Sequence, residues 1–186
     1  MALENAVEIP ERIRSILESL GIPLQIGSAR SLELFDEATE LVTAEVDERR
    51  GEHLLTPPAA EAWMSMKKAA ASDGVVLRIV SAFRSVDRQA EIVRRKLERG
   101  ERLERVLQVS APPGFSEHHT GRAVDVTTDG SRPLEQEFEN TAAFQWLSQH
   151  AGKFGYRLSY PLNNGQGYWY EPWHWCFEAS GQPFNR

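Results

Sequence analysis

Apolar residues fall into helical stripes and short β-branched runs along the chain. In residues 10–20, Ile13, Ile16, Leu17 and Leu20 share one helical face. Pro10 suits the first turn, and Gly21-Ile22-Pro23 stops the helix. Residues 24–56 are polar and weakly patterned, with an acidic run that predicts a helix at about Leu34–Arg49. Pro57-Pro58 opens a helix through Ala71 with Ala60, Trp63, Met64, Met66 and Ala69 as its apolar positions. Asp73-Gly74 breaks it, and Val75–Val80 reads as a strand. A helix follows Ser85 and runs to about Arg99, before Gly100. Residues 108–121 read as a loop, Ala123–Thr127 as a short buried strand and about Asn140–Phe154 as a helix. Strands at Tyr156–Tyr160 and through Trp173–Phe177 flank a turn at Asn163–Gly167. Helices and strands mix without the regular alternation of a doubly wound sheet, which predicts an α+β fold.

Neither an internal repeat nor a low-complexity linker interrupts the 186 residues, so a single domain is expected. Within it, residues 1–55 read as an N-terminal helical extension or cap and 56–180 as the core. Lys and Arg total 21 against 27 Asp and Glu, a net charge of −6 that argues against a broad basic field for nucleic acid. Cys176 is the only cysteine, which excludes an intrachain disulfide and Cys-rich metal sites. No apolar run approaches the ~20 residues of a membrane span. The first residues carry Glu4, Glu8 and Glu11 and no apolar signal-peptide segment, so a cytoplasmic chain is the expectation.

Three clusters could carry chemistry: SAFRS at 81–85, SEHHTGRAVD at 116–125 and EPWHW at 171–175. Asp125 sits in the apolar stretch Ala123-Val124-Asp125-Val126, where a carboxylate is costly to bury without a positive partner. A metal ion would compensate it. His118 and His119 precede Asp125 by seven and six residues across a turn at Thr120-Gly121. His174 lies between Trp173 and Trp175 in a strand-like segment. Two imidazoles and one carboxylate make a catalytic zinc set. The residues alone leave the choice between His118 and His119 open. Glu171 stands three residues before His174 and can serve as a general base rather than a ligand. Arg84, at a strand-to-helix junction, can grip a carboxylate or a developing oxyanion. Ser116 reads as a turn residue or a substrate hydrogen-bond donor. Trp173 and Trp175 alternate across the strand, one toward the cleft side and one toward the core.

SAFRS followed by Gln89, then PGFSEHHTGRAVDV, then EPWHW resembles the VanY-type D-alanyl-D-alanine carboxypeptidases over roughly residues 57–178. These zinc peptidases share a fold with D-Ala-D-Ala dipeptidases and the hedgehog signalling domain. The resemblance implies a small, mainly antiparallel sheet flanked by helices and one Zn2+ held by His118, Asp125 and His174. It further implies Glu171 as catalytic base, Arg84 as the group polarising the scissile carbonyl, and Arg84, Ser116 and Gln89 as substrate-side residues. The implied substrate is a peptidoglycan-derived peptide losing its terminal D-Ala. L,D-carboxypeptidase, L,D-endopeptidase and a non-catalytic zinc-binding module are the alternatives that share the site. His119 stands where relatives often carry Gln, and Cys176 where many carry Arg; in a strand the thiol shares the face of His174.

Overall fold

The computed structural model describes residues 8–48 and 50–178. The ends of the expected core and extension, 179–180 and 1–7, lie outside the described residues, as does residue 49. Helix α1 (Glu11–Ser19) turns its Ile13 and Leu17 inward and is followed by the single turn α2 (Ile26–Ala29). A hairpin of β1 (Val42–Asp47) and β2 (Gly51–Leu55) leads into α3 (Pro57–Ser72). Strand β3 (Arg78–Ser81) precedes α4 (Val86–Glu98) and α5 (Leu103–Val109). Then come β4 (Ala123–Thr127), α6 (Ala142–His150), β5 (Tyr156–Leu158) and β6 (His174–Phe177).

Four strands form one antiparallel sheet in the order β3-β4-β6-β5. Every residue of β4 is buried, so this central strand carries Asp125 into an apolar layer. Proline at the first two positions starts α3, which buries Ala59, Ala60, Trp63, Met66 and Ala70 against the sheet cluster. That cluster includes Ile79, Val124, Val126, Leu147, Tyr156 and Trp175. A second cluster joins Ile13, Leu17 and Leu20 of the N-terminal segment to Val86, Ala90 and Val93 of α4 and to Val106 and Leu107 of α5. Ser85 accepts a bond from the Arg88 N–H and thereby fixes the start of α4. Among the described residues no helix is long and apolar enough to cross a membrane.

The helix expected at 34–49 is not formed. Non-regular backbone and the β1–β2 hairpin occupy that segment, with Val42 opposite Leu55 and Asp47 opposite Gly51. Among the described residues up to 55 there are therefore one helix, one turn and a hairpin rather than two helices. The cause is tertiary. Glu45 turns inward and accepts bonds from Trp63 Nε1 (3.3 Å), Lys67 Nζ (2.6 Å) and the Ile79 N–H (3.2 Å). Those bonds, with Leu55 buried beneath, outweigh the helical preference of the acidic run. Helix α5 was not foreseen, and the strand expected at Val75–Val80 starts only at Arg78.

Gly121 closes the turn that precedes β4, at φ +63°. A Cβ there would come within 2.8 Å of Leu41 Cδ2 and 3.2 Å of Ala38 Cβ. Gly121→Ala is expected to cost about 2–3 kcal/mol from left-handed strain and crowding together. Gly74→Ala, at φ +76° in open space, should cost only the strain, about 1 kcal/mol. Thermal unfolding of both variants checks this, at roughly 2–4 °C per kcal/mol for a chain of this size. An equal loss in both would show that the packing around Gly121 contributes nothing.

Candidate metal centre

Antiparallel pairing of β4 with β6 sets Asp125 opposite His174, and pairing with β3 sets it opposite Ser81. His118 arrives from the 3-10 turn Glu117–Thr120 just ahead of β4. One donor atom from each of His118, Asp125 and His174 lies within 4.8 Å of the others, and all three residues are buried. The two imidazoles meet edge to face, with centroids 4.9 Å apart.

Each ring is held through its other nitrogen. His118 Nδ1 donates to the Ala82 carbonyl at 2.6 Å, which turns Nε2 inward. That Nε2 is buried 3.3 Å from Asp125 Oδ2 and has no hydrogen-bond partner. His174 Nε2 donates to Glu117 Oε2 at 2.9 Å, while Nδ1 faces Asp125 Oδ1 at 3.0 Å. Glu117 is held in turn by Ser159 Oγ (2.5 Å) and Arg157 Nη2 (3.0 Å). Carboxylates behind ligating imidazoles fix tautomer and orientation in metal sites.

The electrostatics also favour a cation among these groups. Burial alone would raise the Asp125 and Glu117 carboxyls. The imidazoles outweigh it, helped at Glu117 by Arg157 and Ser159, and hold Asp125 well below the usual carboxylate range and Glu117 at about 2. Burial would lower His174, but its bonds to Asp125 and Glu117 raise it to about 10. Burial, aided by the charge of Arg84, depresses His118 to about 4, so its lone pair is available. An orphaned, inward-facing imidazole nitrogen and a strongly acidic carboxylate between two histidines fit a bound divalent metal ion.

The adjacent histidines differ in their partners. His119 Nδ1 donates to the Arg84 carbonyl at 2.6 Å, and its Nε2 accepts the Gly114 N–H at 3.1 Å. Both ring nitrogens are occupied, so His119 has nothing to offer an ion. Together with the bonds from His118 Nδ1 to Ala82 O and from the Arg84 N–H to His118 O (3.1 Å), it ties residues 82–84 to the 117–120 turn.

Arg84 is half-buried, with Nη2 3.6 Å from Asp125 Oδ2, Nη1 donating to Gln89 Oε1 at 3.0 Å, and a buried Nε without a partner. Gln89 is buried, and its amide bridges Arg84 and the Ala111 carbonyl (2.7 Å) and so aims the guanidinium. Ser116 is likewise buried, and its carbonyl accepts the His119 N–H at 3.0 Å. Glu171 Oε2 stands 3.9 Å from His174 Nδ1 in a turn closed by the His174 N–H bonding the Glu171 carbonyl. Burial, reinforced by the charge of Asp125, lifts its carboxyl to about 7 against the opposing cations.

A cleft of about 1100 Å3 opens onto Asp125, Arg84 and Glu171. Trp173 lines it, whereas Trp175 is buried in the core with its Nε1 donating to the Pro172 carbonyl. The Cys176 thiol is fully buried, and burial pushes it up, so it is a packed thiol rather than a cleft group. Two residues escaped the sequence reading. Glu117 is flanked by Ser116 and His118, and only the acid-before-histidine order hinted at it. Lys96 lines the cleft from α4, and nothing in its local sequence marks it.

A buried His/Asp/His set beside a carboxylate of near-neutral affinity, at a cleft, defines a candidate mononuclear metal centre on an α+β fold. The VanY D-alanyl-D-alanine carboxypeptidase family model matches residues 52–180, and the chain belongs to that family. The Bacillus subtilis (strain 168) protein YodJ, named for a proposed carboxypeptidase activity, is 35% identical over 146 residues. These are 74% of this chain and 53% of YodJ, so the chain spans about half of that relative's length. The structure of the LdcB LD-carboxypeptidase, described as revealing peptidoglycan recognition, aligns with a TM-score of 0.67 at 32% identity, over 76% of this chain and 69% of that one. VanYB in complex with D-alanine-D-alanine aligns with a TM-score of 0.58 at 25% identity, over 77% and 78%. The small antiparallel sheet with flanking helices that the resemblance implied is the fold these proteins share.

The geometry predicts that His118→Ala abolishes stoichiometric divalent-metal binding while His119→Ala retains it. Glu117→Gln should weaken binding by about 10–100-fold, because it removes the charge behind His174. Chelator competition on the folded variants measures all three. Metal loss in His119→Ala with retention in His118→Ala would overturn the ligand assignment.

Proposed function

We propose that the chain is a zinc-dependent D,D-carboxypeptidase that removes the terminal D-alanine from peptidoglycan stem peptides. The observation that carries this reading is the Glu171 carboxylate, outside the His118/Asp125/His174 set yet 3.9 Å from His174 and lining the cleft, in a member of the VanY family. Two imidazoles and one carboxylate form a zinc set with a position left open, and zinc bound there supplies Lewis acidity and water of near-neutral pKa.

The chain's own groups do the rest. Glu171 takes the proton of the attacking water and returns it to the amide nitrogen of the departing D-alanine as the C–N bond breaks. Arg84, aimed by Gln89 and lining the cleft, donates to the scissile carbonyl oxygen as negative charge develops on it. The products are the shortened stem peptide and free D-alanine.

Its similarity to LdcB, at higher identity and TM-score than to VanYB, supports a second reading, an L,D-carboxypeptidase using the same site. A mass-spectrometric digest of defined stem peptides by the zinc-loaded protein, with a chelated control, separates the two. Loss of one alanine from pentapeptide is the expected result; loss from tetrapeptide would select the L,D reading. Glu171→Gln should keep its zinc and lose about 10^2- to 10^4-fold in kcat. A zinc-bound wild-type protein that cleaves none of the peptides would identify a non-hydrolytic binding module instead.

A further inference from the structure

A carboxypeptidase must recognise a free carboxylate one residue beyond the bond it breaks, and the proposed reaction assigns no group to it. Arg84 is engaged near the metal centre with Asp125 and Gln89. Helix α4 presents Arg88, Ile92 and Lys96 to the cleft at four-residue spacing, so one of its faces runs along it. Arg88 is paired with Glu91 at 2.7 Å. Lys96 differs: among the described residues no carboxylate lies within 4.0 Å of its ammonium, which is half-buried.

Lys96 is held by a hydroxyl. Its Nζ donates to Ser110 Oγ at 2.8 Å, and Ser110 Oγ donates to the Val109 carbonyl at 2.8 Å. The serine proton is therefore committed to the backbone, and its lone pair faces the ammonium. One of three ammonium donors is used, and two are left on a side chain lining the same cleft as Arg84 and Glu171. Glu101 and Glu171 act on this partly desolvated ammonium only from beyond ion-pair distance, so an anion that joins it directly is favoured.

We infer that Lys96, seated by Ser110, binds the α-carboxylate of the peptide's C-terminal residue and so confines cleavage to that end. The inference rests on the peptidase reading above and names the residue that makes the activity exo- rather than endo-acting. Charge-assisted bonds of this kind confer a preference for free-acid over amidated peptides.

The test uses the zinc-loaded full chain and one stem peptide in two forms, with a free C-terminal carboxylate and as the C-terminal amide. Wild type should prefer the acid by about 10–100-fold in kcat/KM, the range of one hydrogen-bonded charge contact. Lys96→Met, which keeps the aliphatic stem, should raise KM for the acid by that factor, leave kcat within a few-fold, and leave the amide rate unchanged. Lys96→Arg should retain most of the preference. Ser110→Ala should weaken it severalfold, which keeps the inference testable should Lys96→Met fold poorly. Calorimetric titration with D-alanine should show the matching loss of affinity in Lys96→Met. An acid preference that survives in Lys96→Met, or a wild type that hydrolyses acid and amide equally, overturns the inference while leaving the hydrolase in place. A zinc-bound wild type that cleaves neither peptide overturns the peptidase reading and this inference with it.

Discussion

The structure turns on one unfavourable placement, a carboxylate on a strand whose every residue is buried. Asp125 lies in β4 between Val124 and Val126, in the middle of the sheet. An ionised carboxylate there is tolerable only with cations beside it. Two reach it, His174 from the paired strand and Arg84 from the loop after β3, while the neutral ring of His118 faces it from the preceding turn. These three approach from three separate segments, so compensating Asp125 also brings the candidate catalytic groups together. The same electrostatic demand that makes the site costly makes it selective for a positively charged occupant.

Around this centre, backbone groups do much of the positioning. Residues 82–84 and the 117–120 turn are joined by His118 Nδ1 to Ala82 O, Arg84 N–H to His118 O and His119 Nδ1 to Arg84 O. Each of the adjacent histidines thus spends one ring nitrogen on the neighbouring chain. The difference lies in the second nitrogen. In His118 it is buried without a partner beside Asp125; in His119 it accepts the Gly114 N–H. Adjacent residues of one type take opposite tasks because a 3-10 turn points them in different directions.

Much of this was legible in the sequence. The limits of β4, the proline start of α3 and the serine start of α4 followed from short-range rules that the tertiary structure reinforces. Asp125 announced itself as a charge inside an apolar run, and His174 and Glu171 by their spacing. Between the two histidines, however, spacing could not decide, because the decision rests on which backbone carbonyls and amides the fold delivers. The hairpin over 42–55 was missed for a related reason. Its strand character depends on Trp63, Lys67 and Ile79 bonding Glu45, all from elements later in the chain. Gln89 and Ser116 show the reverse case. Both stood out as substrate-side residues, but the sequence could not show that Gln89 bonds Arg84 and Ala111 or that Ser116 opens the 117–120 turn as a buried residue.

The two hydrophobic clusters divide the cleft between them. The sheet residues that carry Asp125 and His174 belong to the cluster built on α3 and α6. Helix α4, with Arg88 and Lys96 on its cleft face, is anchored by Val86, Ala90 and Val93 in the cluster that includes α1 and α5. On the proposed reading, the distance between a metal on the sheet and an anion on α4 would be set by polar links at the boundary. Those links are the bonds from residues 82–84 to the 117–120 turn and the Gln89 bridge from Arg84 to Ala111. A peptidase that measures one residue from scissile carbonyl to terminal carboxylate needs that distance held to a fraction of an ångström. Buried histidine and glutamine side chains at the boundary, with every hydrogen-bonding group of His119 satisfied, meet the requirement better than apolar contact alone, because hydrogen bonds fix direction as well as proximity.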